Sequence, residues 1–234
     1  MATPQIIAAG GALLSPDQSN VKLARYVLEA TGKPRPRICF VPTACGEDTV
    51  VVASFFETYA PFGLETSVLR FFRRTPADLR AYLFEFDVVQ ISGGNTRSML
   101  AVWKHWGFDA VLREAWERGI VLCGSSAGSI CWFEEGVTDS VAVNLTVMEC
   151  LGFLAGSNCP HYDGEKDRRP AYQRLVAAGE IGPGIACDDN AAVHYHGTEL
   201  HAIVAGLPTA HAYRVERAAA GAHETVLETR ALSS

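Results

Sequence analysis

The sequence predicts an α/β protein built on a mostly parallel sheet with helices on both faces. Short apolar runs alternate with segments of helical spacing from residue 5 to residue 123, which is the pattern of strands joined by crossover helices. Two of those runs end in glycine turns, Ser92-Gly93-Gly94-Asn95 and Gly124-Ser125-Ser126-Ala127-Gly128. After residue 140 the pattern changes to short strands separated by turn residues, which suits an antiparallel meander completing the same sheet.

Gln5 to Ala9 is a first buried strand closed by Gly10-Gly11. Ser19 can cap a helix in which Leu23, Val27 and Leu28 share a face until Gly32 stops it. Ile38 to Val41 is a strand ended by Pro42, and Thr49 to Tyr59 is a helix stopped by Pro61 and Gly63. Val68 to Phe71 gives a third strand, Pro76 to Phe84 a helix, and Asp87 to Ile91 a strand running into the Ser92 turn. Asn95 to Trp106 and Asp109 to Glu117 read as helices broken at Gly107, Val121 to Cys123 as the strand before Ser126, and a helix as starting at Ser126. Arg169 to Ala178 is a late helix among the strands Ile185–Cys187, Ala191–Tyr195, His201–Val204, Ala210–Val215 and Thr225–Leu227. No repeat, low-complexity tract or linker interrupts the chain, so residues 1–234 are expected to form a single domain.

At 48% hydrophobic and 20% charged residues the chain can bury a substantial core without metal or disulfide support. A net charge of −6 with no Lys/Arg run gives no footprint for nucleic acid. Seven scattered cysteines, odd in number and never spaced as C-x-x-C, argue against a disulfide framework or a structural zinc site. The first apolar stretch lacks a basic leader and is too short to span a bilayer, so a cytoplasmic protein with no membrane partner is expected.

Gly124 to Gly128 fits G-x-S-x-G, in which a tight strand-to-helix turn lifts the central serine, Ser126, clear of the sheet. The following helix N-terminus favours an oxyanion there. The pentapeptide alone fits equally a small-residue turn that packs a helix on a strand. In a parallel sheet the Ser92 and Ser126 turns face each other if their strands are neighbours. A serine nucleophile needs a base and a group to orient it. His161, after Gly156 to Pro160, read as a polar, proline-restricted loop that can hold a side chain away from the core, is the candidate base by spacing; Asp189, beside Asp188 at a strand end, and Asp139 are candidate acids. His105 sits among aromatic residues, where a packed or half-exposed histidine is ordinary. His194 and His196 would share a sheet face, but no carboxylate or cysteine completes a zinc spacing with them and His201, so no metal is expected.

The ordered set SGGN at 92–95, GSSAGS at 124–129, PHYD at 160–163 and GIACDDNAA at 184–192 resembles the dipeptidase E and cyanophycinase family of serine peptidases over almost the whole chain. The resemblance implies a three-layer α/β/α sandwich, related to class I glutamine amidotransferases, that hydrolyses short peptides without a cofactor. It makes Ser126 the nucleophile and His161 the general base, and gives the oxyanion the Gly94 and Ala127 N–H groups. Some relatives have a glutamate where this chain has Asp189, while Asp139 lies near another acid position, so the third member is Asp189 with Asp139 as the alternative. Relatives often form dimers, which implies a possible homodimer.

Aspartyl dipeptidases of that family share an arginine on the helix after the histidine; the matching position here is Ala171. Asn95, Arg168 and Arg169 remain as candidate substrate contacts, with both arginines read as surface charges at the helix start, so strict selectivity for aspartate is expected to be lost. Two other readings stay open: an esterase-type acyl hydrolase with His211 or His223 as base, and a non-catalytic small-molecule binder that uses the glycine loops as an anion site.

Overall fold

The computed structural model describes residues 3–11, 13–14, 18–141 and 144–233. Its strands are β1 (Gln5–Ala9), β2 (Ile38–Val41), β3 (Thr66–Val68), β4 (Val88–Ile91), β5 (Val121–Ser125), β6 (Phe133–Thr138), β7 (Thr146–Glu149), β8 (Leu154–Cys159), β9 (Gly184–Cys187), β10 (Ala191–His196), β11 (Glu199–Ala205), β12 (Ala212–Ala218), β13 (Gly221–Leu227) and β14 (Arg230–Ala231). Its α-helices are α1 (Gln18–Glu29), α2 (Thr49–Tyr59), α3 (Leu79–Leu83), α4 (Thr96–Trp106), α5 (Phe108–Glu117), α6 (Ala127–Ile130) and α7 (Arg168–Ala178).

The first sheet has the order β14-β11-β10-β1-β5-β4-β2-β3, parallel from β1 to β3, with β10 antiparallel to β1 and β11 antiparallel to β10. Its central strands are buried on both faces, which is why they read as continuous apolar runs rather than alternating ones. One face carries Ile7, Phe40 and Cys123 against Leu23 and Val27 of α1 and Val52 and Phe55 of α2. The other carries Ile6, Ala8, Val89 and Leu122 against Leu83 of α3, Met99 and Trp103 of α4 and Leu112 of α5. The α/β sandwich expected from the alternation is therefore present.

The late strands do not all complete that sheet. β9, β12 and β13 join β6, β7 and β8 in a second sheet ordered β13-β12-β9-β8-β6-β7. Phe133, Leu154, Ile185 and Ala212 of this sheet share one apolar cluster with Val193, Tyr195 and Ile203 of the first, so the two sheets are packed together. A strand list from sequence cannot distinguish one meander from two sheets, because both bury the same alternating residues.

Several boundaries differ for local reasons. Ser19 falls inside α1 rather than ahead of it, and its side chain lies outside the described residues. The third strand ends at Val68, because the Glu47 carboxylate takes the Phe71 and Phe72 N–H groups that a ladder would need. The Pro76 helix starts only after Asp78, whose side chain caps it on the Ala81 N–H at 2.8 Å. The helix after Ser126 lasts four residues, and β6 intervenes before Asp139. Gly156 to Cys159 lie within strand β8, not in a loop, so His161 follows a strand.

The short α6 is fixed to the second sheet through Asn158. The fully buried Asn158 amide accepts from the Ser129 hydroxyl at 2.9 Å and donates to the Ile185 carbonyl at 3.1 Å. Asn158→Ala strands both partners, and is expected to cost about 2–5 kcal/mol of stability, two lost hydrogen bonds with unsatisfied ends. Urea unfolding of variant and wild type measures it; a midpoint unchanged by the substitution would show that α6 does not depend on this bridge.

Candidate active site

β1, β5 and β4 are neighbours, so the loops at their carboxyl ends share one crevice. Ser126 opens α6 with φ 56° and ψ −117°, a conformation a side-chain-bearing residue rarely adopts. The turn is that tight because α6 lies directly on the sheet: a Cβ at Gly124 or Gly128 would strike the Ile91 carbonyl. The Ser92 turn sits over the serine, with the Cβ position of Gly93 3.2 Å from Ser126 Cβ. Gly94 follows at φ 129°, pressed on the Ala44 carbonyl, which accepts the Asn95 N–H at 2.8 Å. Ala127 is the first residue of α6, so its N–H has no partner within that helix.

His161 reaches the same crevice from the second sheet. It too has a positive φ, 52°, and its backbone is fastened by the N–H to Gly10 O at 3.2 Å, while the next N–H, of Tyr162, bonds Cys187 O at 3.1 Å. Its Nδ1 lies 2.7 Å from Asp189 Oδ1. Asp189 belongs to the short connection between β9 and β10, where the chain passes from one sheet to the other. The Asp189 N–H donates to Asp163 Oδ1 at 2.8 Å, and its carboxylate packs on the Cα atoms of Gly11 and Gly164, where any Cβ would collide with it.

The neighbouring Asp188 faces the other way. It is 2% exposed and accepts from the His211 N–H at 2.9 Å and the Tyr213 hydroxyl at 3.1 Å; burial pushes its carboxyl above the usual range despite those two donors. His211 is thus tied by its backbone to Asp188, and the exposed His223 ring meets Thr225. Neither makes the carboxylate contact that His161 makes. His105 is exposed at the end of α4.

Asp139 and the two arginines separate as well. Arg168 is not a surface charge: it is 2% exposed, with Nε on Glu165 Oε2 at 2.7 Å, Nη1 on Val137 O at 2.8 Å and Nη2 3.5 Å from Asp139 Oδ1. Together with Gly94, Asn95, Ser126, Asp139, Ser140 and Glu165 it lines a cleft of about 230 Å³. Asn95 caps α4 by accepting the Ser98 N–H at 2.8 Å and donates its amide to Ser140 O at 3.1 Å, holding the segment that carries Asp139 at the cleft. A second cleft shares Asp139 and Glu165 with the first and is lined also by Val141, Asn144 and Leu145. Arg169 points to the second sheet instead, paired with Glu224 and stacked over Tyr162 and Tyr213. His194, His196 and His201 gather near the amino end of β1, away from this crevice.

Sequence reading named Ser126, His161 and Asp189, and missed what cradles them: Gly11, Gly164 and Asp163. Gly10-Gly11 was visible as a strand-ending turn, but its contact with residues 161 and 189 is a long-range pairing, an isolated bridge between Gly11 and Asp189.

An α/β sandwich with a serine on a strained strand-to-helix turn, and a carboxylate-bonded histidine whose backbone is fastened one carbonyl further along the same strand end, has the form of a hydrolase. The chain belongs to peptidase family S51, whose family model matches residues 6–203. It is 47% identical over 211 residues to the uncharacterized peptidase YgaJ of Bacillus subtilis (strain 168), covering 90% of this chain and 91% of that protein. Among solved structures it is similar to a peptidase from an acI-B1 Actinobacterium, with TM-score 0.70 and 16% identity over 97% of this chain and 95% of that one. A putative peptidase E protein from Listeria monocytogenes EGD-e gives TM-score 0.62 and 19% identity over 97% and 100%. At those identities the structures speak for the fold, and the resemblance carried by the four motifs is borne out at the level of the family.

Gly11→Ala puts a methyl group into both Asp189 and the His161 ring. Peptide turnover is expected to fall about 10²-fold, the scale of a misplacement near 1 Å, with thermal unfolding little changed. Unaltered turnover would mean that the Gly11 contact does not hold the pair in place.

Proposed function

We propose that this protein is a serine exopeptidase of short peptides, acting through Ser126, His161 and Asp189. The observation that carries the reading is the 2.7 Å bond between His161 Nδ1 and Asp189 Oδ1 in the crevice that also presents Ser126. Ser126 Oγ attacks the scissile carbonyl while His161 Nε2 takes its proton. Asp189 holds the ring in the tautomer with the proton on Nδ1 and stabilises the imidazolium that forms. The oxyanion develops against the Gly94 and Ala127 N–H groups, whose geometry costs no reorganisation during the reaction. His161 then protonates the leaving amine, and water repeats the cycle on the acyl-enzyme. No cofactor enters these steps.

The cleft also supports a reading of specificity. Arg168 already faces Glu165 and Asp139, so an acidic substrate side chain would meet a guanidinium whose charge is matched. One arginine against two carboxylates leaves a net charge of −1, which suits the free α-ammonium of a short peptide. Val141 and Leu145 in the cleft that shares Asp139 and Glu165 suit a neutral or apolar side chain. Residues 1–234 act as one peptidase unit on this reading, supported by the apolar cluster the two sheets share. No described helix is long and apolar enough to cross a membrane. The protein acts on peptides in the cytoplasm, as a possible homodimer and without nucleic acid.

Turnover of Ala-Leu or Met-Leu is expected to fall about 10³-fold or more in both Ser126→Ala and His161→Ala, since nucleophile and base act as a unit. Ser125→Ala should change it little; loss there with activity kept in Ser126→Ala would shift the nucleophile by one residue. Asp189→Asn should cost more than Asp139→Asn, and the reverse ranking would give the orienting role to Asp139. For specificity, kcat/KM for Asp-Leu should not exceed that for Ala-Leu, and N-acetylation of Ala-Leu should lower it. A strong Asp-Leu preference that vanishes in Arg168→Ala would contradict this reading of the cleft.

A further inference from the structure

The hairpin of β10 and β11 carries three histidines that serine chemistry does not use. His194 and His196 lie two residues apart on β10 and so face the same way. His201 joins them through a β-bulge. Ala202 pairs with His194 and Leu200 with Tyr195, which leaves His201 as the extra residue on β11. A bulge re-aims a side chain that regular alternation would send elsewhere. Here it brings the His201 ring flat onto His196, with centroids 3.7 Å apart and planes 9° apart. His194 meets His196 edge-on at 4.8 Å and His201 at 5.3 Å. One ring nitrogen from each lies within 4.8 Å of the other two, the only such trio of His, Cys, Asp or Glu side chains among the described residues.

The innermost ring is held from outside the trio. His194 is 3% exposed, with Nδ1 bonded to the Tyr26 hydroxyl at 2.8 Å and Nε2 to Gln5 Oε1 at 2.9 Å; the Gln5 amide in turn donates to Ala30 O at 3.0 Å. Metal-bound histidines are oriented in this manner by a partner on the nitrogen that does not bind the ion. An ion therefore exchanges one of these two bonds and keeps the other. His196 and His201, near the hairpin turn and more exposed, are free to close the remaining distance. Metal–nitrogen bonds of 2.0–2.1 Å require ligand nitrogens about 3.3 Å apart in a tetrahedral site, so a pair 4.8 Å apart moves in by about 1.5 Å.

We propose that His194, His196 and His201 form a binding site for a divalent transition ion of the zinc class, with solvent in the fourth position. Three neutral imidazoles suit Zn²⁺, Ni²⁺ or Cu²⁺ and not the hard oxygen-seeking ions. The site lies at the opposite end of the sheet from the serine. His196 pairs with Gln5 and His194 with Ile7, whereas Ala192 pairs with Ala9, whose other neighbour, Ser125, precedes the nucleophile. The four residue steps from Gln5 to Ala9 span about 13 Å of strand. The ion would join β10 to β11 near their turn, a stabilising clamp rather than a participant in hydrolysis.

Isothermal titration of the chelator-treated, untagged full chain with zinc chloride at neutral pH tests the assignment. One zinc per chain is expected, with affinity lowered at least about 10-fold in His196→Ala and in His201→Ala. Cobalt(II) should give the intense visible absorption of a tetrahedral site in the wild type and lose it in both variants. Zinc should raise the unfolding temperature of the wild type and leave that of the two variants unmoved. Both substituted side chains reach solvent, and unfolding in chelator checks that the variants fold. His161→Ala should bind zinc as the wild type does. Absence of stoichiometric zinc binding in the wild type, equal affinity in the two hairpin variants, or loss of zinc in His161→Ala would each overturn the proposal.

Discussion

The end of β1 is the constraint on which the site depends. Its two successive carbonyls hold residues from different parts of the chain: Ala9 O accepts the Ser126 N–H at 3.3 Å, and Gly10 O accepts the His161 N–H at 3.2 Å. Gly11, the next residue, lies against the Asp189 carboxylate and the His161 ring. Three consecutive residues thus register the serine from the first sheet, the histidine from the second and the aspartate from the connection between them. Any shift of one sheet relative to the other moves His161 relative to Ser126, so the packing of two sheets on a shared core is itself part of how the site is positioned.

Both Ser126 and His161 are held at positive φ, and each such backbone costs on the order of 1–3 kcal/mol that surrounding structure must over-determine. For Ser126 the fastening comes from α6, whose Ser129 reaches Asn158 in the second sheet. For His161 it comes from the next residue in the chain and from α7: the Tyr162 hydroxyl donates to Glu224 at 2.6 Å, and Gln173 and Arg169 of α7 converge on the same carboxylate. Burial alone would raise the Glu224 carboxyl, but these hydrogen bonds outweigh it and hold the pKa below the ordinary value. Arg168 does the corresponding work on the cleft side, joining Val137, Asp139 and Glu165.

The sequence carried the parallel half of the fold well, because β1, β2, β4 and β5 are buried on both faces and each is closed by a glycine, proline or serine turn. It carried Ser126 and the facing Ser92 turn for the same reason, since both are local strand-to-helix features. Gly156 to Cys159 looked like a loop because small and polar residues fill it, yet Ser157 and Asn158 are fully buried and satisfied by Tyr172, Gly182, Ser129 and Ile185. Long-range partners of that kind leave no mark on local composition. Arg168 was misread for a related reason: a charged residue at a helix start is ordinarily exposed, and only Glu165, Asp139 and Val137 together make its burial tolerable. The bulge that turns His201 toward His194 and His196 is likewise a matter of register between strands.

Peptide mapping by mass spectrometry after reaction with a fluorophosphonate tests the central claim, that this fold activates one serine through the His161–Asp189 pair. A single phosphonylated residue, Ser126, is expected in the wild type, with labelling slowed severely in His161→Ala although the serine is intact. An adduct on Ser125 or another serine, or labelling of Ser126 at the same rate without His161, would contradict it.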